Sequence, residues 1–364
     1  MDTAPNVLLH AEFLQACESV ERGSLALLYV DPPFGTGRAQ RFRFGLGRVE
    51  SPLQDGSNRG KWLECWIPRL ERGIEALRPG GILVVHLDPR LAPFVRVSLE
   101  ERLGPAAFLN EIVWHYRSGG VARDRFAWKH DTLLVWRNGP AHTFHAFREK
   151  RYLAHRANRR GVEEHRDRRG WYRYAWADDV WEIPFLPADS SERLGYPMQK
   201  PEALAVRLIE AFTDEGDRVA DWTCGSGTLA AAAHRSRRAW TVADLDPRAV
   251  VCTAGRLVRI LSPALATRWR AASVAERKAD LSRRLARYRL HPDGWGLAEE
   301  ERQAWQDAAP PAGFVIESGG IEKRIDGMRS DPAGTMPGPA AGATPRAADG
   351  TWTGEETLAP DPRE

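Results

Sequence analysis

Short apolar runs that stop at an aspartate beside proline constrain this chain more than any other feature. Leu25 to Val30 ends abruptly at Asp31-Pro32-Pro33, and Ile82 to Leu87 ends at Asp88-Pro89. A short apolar run bounded by turn signals fits a strand buried on both faces. Between these two runs the pattern predicts a helix over Lys61 to Leu77, closed by Arg78-Pro79-Gly80-Gly81, and Phe108 to Trp114 reads as a third strand. After Pro201 the pattern resumes with a helix through Phe212, a strand near Arg218 to Trp222, a helix from about Ser226, a strand Ala239 to Ala243 and a helix after Pro247. Strands alternating with helices give an α/β fold with a largely parallel sheet.

Composition agrees with a globular chain: 364 residues, 43% hydrophobic and 28% charged, enough to bury a sizeable core. The four cysteines are far apart and form no CxxC pair, which points to a reducing compartment and away from structural zinc. No basic leader and no window of about 20 apolar residues is present, so a cytoplasmic protein without a membrane span is expected.

Fifty-two basic residues against 49 acidic ones leave a net charge of +3, which alone does not announce a nucleic-acid partner. The charge is segregated, however. From His115 to Ala175 there are thirteen Arg and two Lys against three Asp and three Glu, with six of the ten histidines. Rings are threaded through the same stretch, among them Tyr116, Phe126, Trp128, Trp136, Phe144, Phe147, Tyr152, Trp171, Tyr172 and Tyr174. Such a stretch reads either as a solvated, helix-rich insertion or as a surface for phosphates and unstacked bases. A charged helical stretch follows over Ala272 to Arg289, and beyond Asp326 the chain is Pro, Gly, Ala and Thr, a composition that predicts disorder.

Two motifs carry chemistry. In Asp221-Trp222-Thr223-Cys224-Gly225-Ser226-Gly227-Thr228 a strand hands over to a helix through a Gly-x-Gly turn, where a ligand can approach the backbone and free N–H groups. Asp244 ends the next predicted strand, where a carboxylate accepts hydrogen bonds from ribose hydroxyls. A dinucleotide fingerprint needs a third glycine, and Ala230 to Ala233 stand there instead, so an adenosine cofactor smaller than NAD or FAD fits better. In Asp31-Pro32-Pro33-Phe34 two prolines stiffen the backbone and remove N–H donors, leaving carbonyl acceptors beside a carboxylate and a ring. That cluster suits an exocyclic amine on a planar base.

Taken together, these segments resemble the amino-group DNA methyltransferases. Leu27 to Gly37 (Leu-Leu-Tyr-Val-Asp-Pro-Pro-Phe-Gly-Thr-Gly) is similar to their catalytic motif. Tyr196-Pro197-Met198-Gln199-Lys200-Pro201-Glu202-Ala203-Leu204 and Asp221 to Thr228 are similar to their S-adenosylmethionine motifs. The order, catalytic motif first, is that of the permuted β group, and Asn110 to Trp136, with Lys129-His130-Asp131-Thr132, resembles the middle of that group. The likeness runs from about Val7 to Leu257. It implies a Rossmann-like, circularly permuted α/β fold: catalytic half 1–114, basic target-recognition insert 115–195, cofactor half 196–262, helical appendage 263–325 and disordered tail 326–364.

The resemblance also implies roles. Asp31 and the Pro32 carbonyl would bind the target amine, Phe34 would stack on the flipped base, and Pro33 would belong to the same catalytic motif. Asp221, Cys224, Gly225, Ser226, Gly227 and Thr228 would form the cofactor loop and Asp244 would hold the ribose, with Lys200 and Thr36 near the methionine carboxylate. Arg117, Arg123, Arg125, Lys129 and His130 would contact DNA, and no metal is implied. A leading Asp in the catalytic tetrapeptide favours adenine N6. Cytosine N4 and a DNA-binding regulator without transfer activity stay open as alternatives, as do a homodimer and a companion restriction endonuclease. The chain departs from the family in having Asp221-Trp222-Thr223 for Asp-Pro-Phe, Gly35 for Asn, and Ala11-Glu12 for Gly-Asp.

Overall fold

The computed structural model describes residues 6–34, 42–44, 47–49, 59–116, 121–156, 161–187, 189–196, 198–261 and 314–318. In chain order the elements are β1 (Asn6–His10), α1 (Phe13–Glu18), β2 (Leu25–Val30), β3 (Phe42–Phe44), β4 (Gly47–Val49), α2 (Arg59–Ile74), β5 (Leu77–Leu87), α3 (Ala92–Leu103), β6 (Phe108–His115) and β7 (His130–Arg137). There follow β8 (Arg148–Tyr152), β9 (His165–Asp167), β10 (Gly170–Trp176), β11 (Val180–Glu182), α4 (Glu202–Phe212), β12 (Arg218–Asp221), α5 (Thr228–Arg235), β13 (Ala239–Asp244), α6 (Pro247–Leu261) and β14 (Phe314–Ser318).

Among the described residues, nine strands form the main sheet in the order β11-β6-β7-β5-β2-β12-β13-β1-β14. Within it β7 alone runs antiparallel to its neighbours, β5 and β6. Alternation along the strands divides the core in two. Leu27, Tyr29, Ile82, Val84 and Val219 face α4, α5 and α6 through Leu204, Leu208, Leu229 and Leu257. Leu28, Val30, Leu83, Val85 and Ala220 face α1, α2 and α3 through Phe13, Trp66, Leu70, Val95 and Leu99. Helices on both faces of a mostly parallel sheet make this the Rossmann-like architecture expected.

Strands β2 and β12 are adjacent, with Asp221 opposite Tyr29. From β2 the chain continues to β5 on one side, and from β12 to β13 on the other. This is a topological switch point, and the crevice outside the carboxyl ends of such a pair is where open α/β sheets bind ligands. Asp31 and the Asp221–Thr228 loop both open into it.

Three elements differ from the sequence reading. Helix α2 stops at Ile74, and β5 runs through Pro79-Gly80-Gly81 rather than starting after it. The glycines permit this: a Cβ on Gly81 would lie 2.7 Å from the Leu25 carbonyl oxygen, and the register of β2 shifts beside it. Second, β7 lies inside the stretch read as an insert, yet Leu133 to Trp136 are buried in the main sheet. The separate part of that stretch is the antiparallel sheet β8-β10-β9, so it is built of strands where a helix-rich insertion was one reading. Third, Phe314–Ser318, within the segment read as a helical appendage, adds a strand parallel to β1. The proposed helix over 272–289 and the tail lie outside the described residues. Among those described, no helix is long and apolar enough to cross a membrane.

Candidate active site

A cavity of about 270 Å³ opens where β2, β12 and β13 end, and both motifs line it: Asp31 to Phe34 on one side, Asp221 to Ser226, Thr228 and Asp244 on the other. Tyr196, Met198, Gln199 and Lys200, which precede α4, form a further wall.

On the first side, Trp62 donates its indole N–H to the Pro33 carbonyl at 2.8 Å, so this acceptor is already engaged. Phe34 is buried, its ring tilted against His86 with centroids 6.1 Å apart. Asp31 donates its backbone N–H to Thr223 Oγ1 at 2.9 Å, and Thr223 donates in turn to Asp221 Oδ1 from its hydroxyl at 3.1 Å and its N–H at 3.0 Å. The departure from Asp-Pro-Phe therefore has a structural use: the Thr223 hydroxyl joins the two motifs, which a phenylalanine there could not do. Trp222 fills the core edge-on to Phe13, with centroids 5.2 Å apart. Glu12, the other departure on this wall, caps α1 and holds Arg69 at 2.7 Å.

On the second side, Gly225 and Gly227 have φ of +53° and +70°, and a Cβ on Gly227 would lie 2.6 Å from Thr253 Cγ2. Glycine is needed there on both counts. Asp244 accepts from the backbone N–H of Gly225 through Oδ2 and of Asp246 through Oδ1, both at 2.8 Å. Each carboxylate oxygen keeps acceptor capacity for vicinal hydroxyls. Burial pushes the Asp244 carboxyl up to about 7 and that of Asp221 up to about 8. Cys224 and Ser226 support the turn: Cys224 donates its N–H to Ala243 at 2.9 Å, and the buried Arg256 reaches the Ser226 carbonyl at 3.4 Å and Thr228 Oγ1 at 3.1 Å. Thr228 Oγ1 donates to the Lys200 carbonyl at 3.2 Å. The glycine turn, the aspartate with spare acceptor capacity and the adjoining cavity fit an adenosine-type group.

Two groups escaped the sequence reading. Beneath Phe34 lies a buried relay in which Tyr29 bonds His86 Nδ1 at 2.6 Å, His86 Nε2 bonds Asp131 Oδ2 at 3.1 Å, and Tyr116 donates to Asp131 Oδ1 at 2.9 Å. Burial alone would raise the Asp131 carboxyl, but His86, Lys200 and the Tyr116 hydroxyl hold it below its ordinary value. A histidine within the apolar run Ile82 to Leu87 was the available signal. The other is Arg256, which pairs with Glu202 at 2.9 Å and Glu192 at 3.3 Å behind the glycine turn.

Of the residues expected to meet nucleic acid, Arg123 and Arg125 are exposed, Arg125 pairing with Asp124 at 2.6 Å. Lys129 and His130 are half-buried where the chain enters β7, the Lys129 carbonyl accepting from Tyr116 at 2.9 Å. Thr36, Gly35 and Arg117 lie outside the described residues. Many rings of the basic stretch stack on its own cations, as Arg156 does on Trp171 at 4.9 Å and Lys150 on Tyr172 at 3.8 Å. Phe126, by contrast, is 97% exposed beside Arg125.

Residues 25–253 match the N6/N4 methyltransferase family model, described as DNA methylase. The chain is 28% identical to the type II methyltransferase M.HpaI of Haemophilus parainfluenzae, over 61% of this chain and 64% of that protein's length. It is 25% identical to the DNA adenine methyltransferase YhdJ of Escherichia coli, over 64% of this chain and 75% of that one. Among solved structures, the PvuII cytosine-N4-specific DNA methyltransferase superposes with a TM-score of 0.52 at 15% identity, covering 78% of this chain and 93% of that one, a likeness of fold. A family match spanning well over half of the 364 residues, on a fold that brings both motifs to one cavity, places the chain in the DNA methylase family, whose methyl donor is S-adenosylmethionine.

Proposed function

We propose that this protein methylates N6 of adenine in DNA with S-adenosylmethionine as donor. The observation that carries the reading is the convergence of Asp31, Asp221 and Asp244 on one cavity at the switch point of the sheet. The leading aspartate of Asp31-Pro32-Pro33-Phe34, and the likeness to an enzyme named as an adenine methyltransferase, support adenine over cytosine.

In this reading Asp244 binds the ribose hydroxyls and the Gly225–Gly227 turn admits the donor to the backbone. When bound, the donor supplies an electrophilic methyl group on a sulfonium. The remaining work falls to the chain. An exocyclic amine is a poor nucleophile because its lone pair is delocalised into the ring. Hydrogen bonds from the amine to the Asp31 carboxylate and the Pro32 carbonyl favour sp³ character at nitrogen. Phe34 stacks on the base once it has left the duplex, and much of the acceleration comes from holding the amine in line. Arg123 and Arg125 contact phosphates.

Purified protein incubated with methyl-labelled donor and duplex DNA is expected to label adenine. Asp31→Ala should abolish transfer while leaving donor binding within about twofold of wild type, because Asp31 acts on the amine. Equal labelling of DNA lacking adenine would reject the adenine assignment, and full activity in Asp31→Ala would reject the site.

A further inference from the structure

Lys200 carries a role that the cofactor reading does not give it. Its ammonium lies 2.8 Å from Asp31 Oδ2 and 5.2 Å from the centre of the Phe34 ring, with only 8% of the side chain exposed. The backbone that presents it is fixed. Gln199 accepts from the Leu194 N–H and donates to the Glu192 carbonyl, both at 2.9 Å, and the Lys200 carbonyl accepts from Thr228 at 3.2 Å. A buried ammonium requires an anion in contact, and here the anion is the proposed amine acceptor.

The charges around Asp31 give this contact its consequence. Asp221 at the end of β12 and Asp131 on β7 are acidic, and Tyr29 on β2, two residues before Asp31, is a neutral phenol. Asp244 and Asp246 lie further along the cavity, and at its rim Arg69 is already engaged by Glu12. Among the described residues, Lys200 is the cation in direct contact with Asp31. Only an ionised carboxylate offers acceptors on both oxygens, and a protonated one would meet an amine with a donor.

We propose that Lys200 is a positioning residue of the target-amine site, the counter-ion that holds Asp31 through Oδ2 and orients its carboxylate toward the base, rather than a clamp for the donor's carboxylate. The proposal rests on reading Asp31 as the amine acceptor. Its cation–π contact sets the Phe34 ring against the same charge, so one side chain registers both parts of the base site.

The full chain is assayed for single-turnover transfer, with donor and DNA saturating. Lys200→Met is expected to slow transfer about tenfold or more while donor affinity by calorimetry changes by no more than about threefold. Lys200→Arg should restore the rate close to wild type, because a guanidinium keeps the charge beside the carboxylate. A Lys200→Met rate equal to wild type, or a loss of donor affinity large enough to account for the slowing, overturns the proposal. A second readout needs neither activity nor a stable Lys200 variant. Acylation of Lys200 by acetic anhydride, followed by mass spectrometry, should accelerate about tenfold in Asp31→Asn, where the ammonium loses its anion. An unchanged acylation rate also overturns it. A wild-type chain that methylates no DNA would defeat the proposed function while leaving the acylation result to test the pair.

Discussion

At the scale of single residues the site is governed by what burial does to carboxylates and by what a missing Cβ allows. Asp244 and Asp221 are buried acids pushed up to about 7 and about 8, so in the unliganded protein they take up protons as pH falls through that range. Their unfolded counterparts ionise near 3.9. The sign follows: the protonated form favours the folded state, and the unliganded protein loses stability as pH rises through 4 to 8. In the proposed roles, a cationic donor carrying ribose hydroxyls favours the ionised forms. The gain in Tm on adding S-adenosylmethionine should therefore grow between pH 6 and pH 8.5, and thermal melts with and without donor measure it; a gain that shrinks would contradict these assignments. Gly227 gives a second prediction. Its φ of +70° and the 2.6 Å approach of Thr253 to a built Cβ mean that Gly227→Ala should cost about 2 kcal/mol or more, lowering Tm by about 4–8 °C. Adding Thr253→Ala should recover the steric part and leave the backbone part.

At the scale of elements, the runs that were legible are those whose neighbours lie on both faces. Leu25 to Val30 is the strand the sequence predicts because every residue in it is buried, and a continuous apolar run has no competing reading once Asp31-Pro32 stops it. The Asp221–Thr228 turn was legible for a different reason: glycine spacing records a backbone requirement directly. Pro79-Gly80-Gly81 misled because the same residues that close a helix also let β5 approach β2 at a bulge, and only the partner strand decides between the two. Strand β7 was hidden by the charge around it, although Leu133 to Trp136 is itself an apolar run. Arg256 was illegible because its meaning lies in contacts distant in sequence. It joins α6 to Glu202 on α4, to Thr228 at the start of α5 and to Glu192. Removing it leaves the buried Glu202 with Arg235 as partner and takes the guanidinium from the partly buried Glu192, so Arg256→Met should destabilise by about 2 kcal/mol. Burial already raises the Glu192 carboxyl, so part of that loss should return between neutral and mildly acidic pH as the acid protonates. Chemical denaturation under the two conditions measures this, and an equal loss in both would contradict the burial account.

At the scale of the whole molecule, the near-neutral sum of +3 conceals an excess of positive charge between His115 and Ala175. Part of that excess is spent internally, in pairs such as Lys150 with Asp167 at 2.8 Å and Arg151 with Asp178 at 2.7 Å. Exposed residues such as Arg123, Arg125 and Phe126 stand on the connection between β6 and β7, whose ends are joined to the Phe34 wall through Tyr116, Asp131 and His86. Hydrogen bonds from Tyr116 through Asp131 to His86, and the ring contact of His86 with Phe34, thus connect the ends of this segment to the Phe34 wall of the cavity. Composition could not reveal this, because it depends on β7 returning antiparallel between β5 and β6. The motif order and the two aspartate loops were readable because each loop is local in sequence, whereas their meeting in one cavity is a property of strand order.

Base-resolved mapping of methylation in a plasmid, from cells with and without the protein, reads the activity and the modified base together. N6-methyladenine at one fixed sequence is expected with the wild-type chain and its absence with Asp31→Ala. No methylation at any sequence, or the same methylation with Asp31→Ala, would contradict the proposed function, and N4-methylcytosine in place of N6-methyladenine would overturn the choice of base.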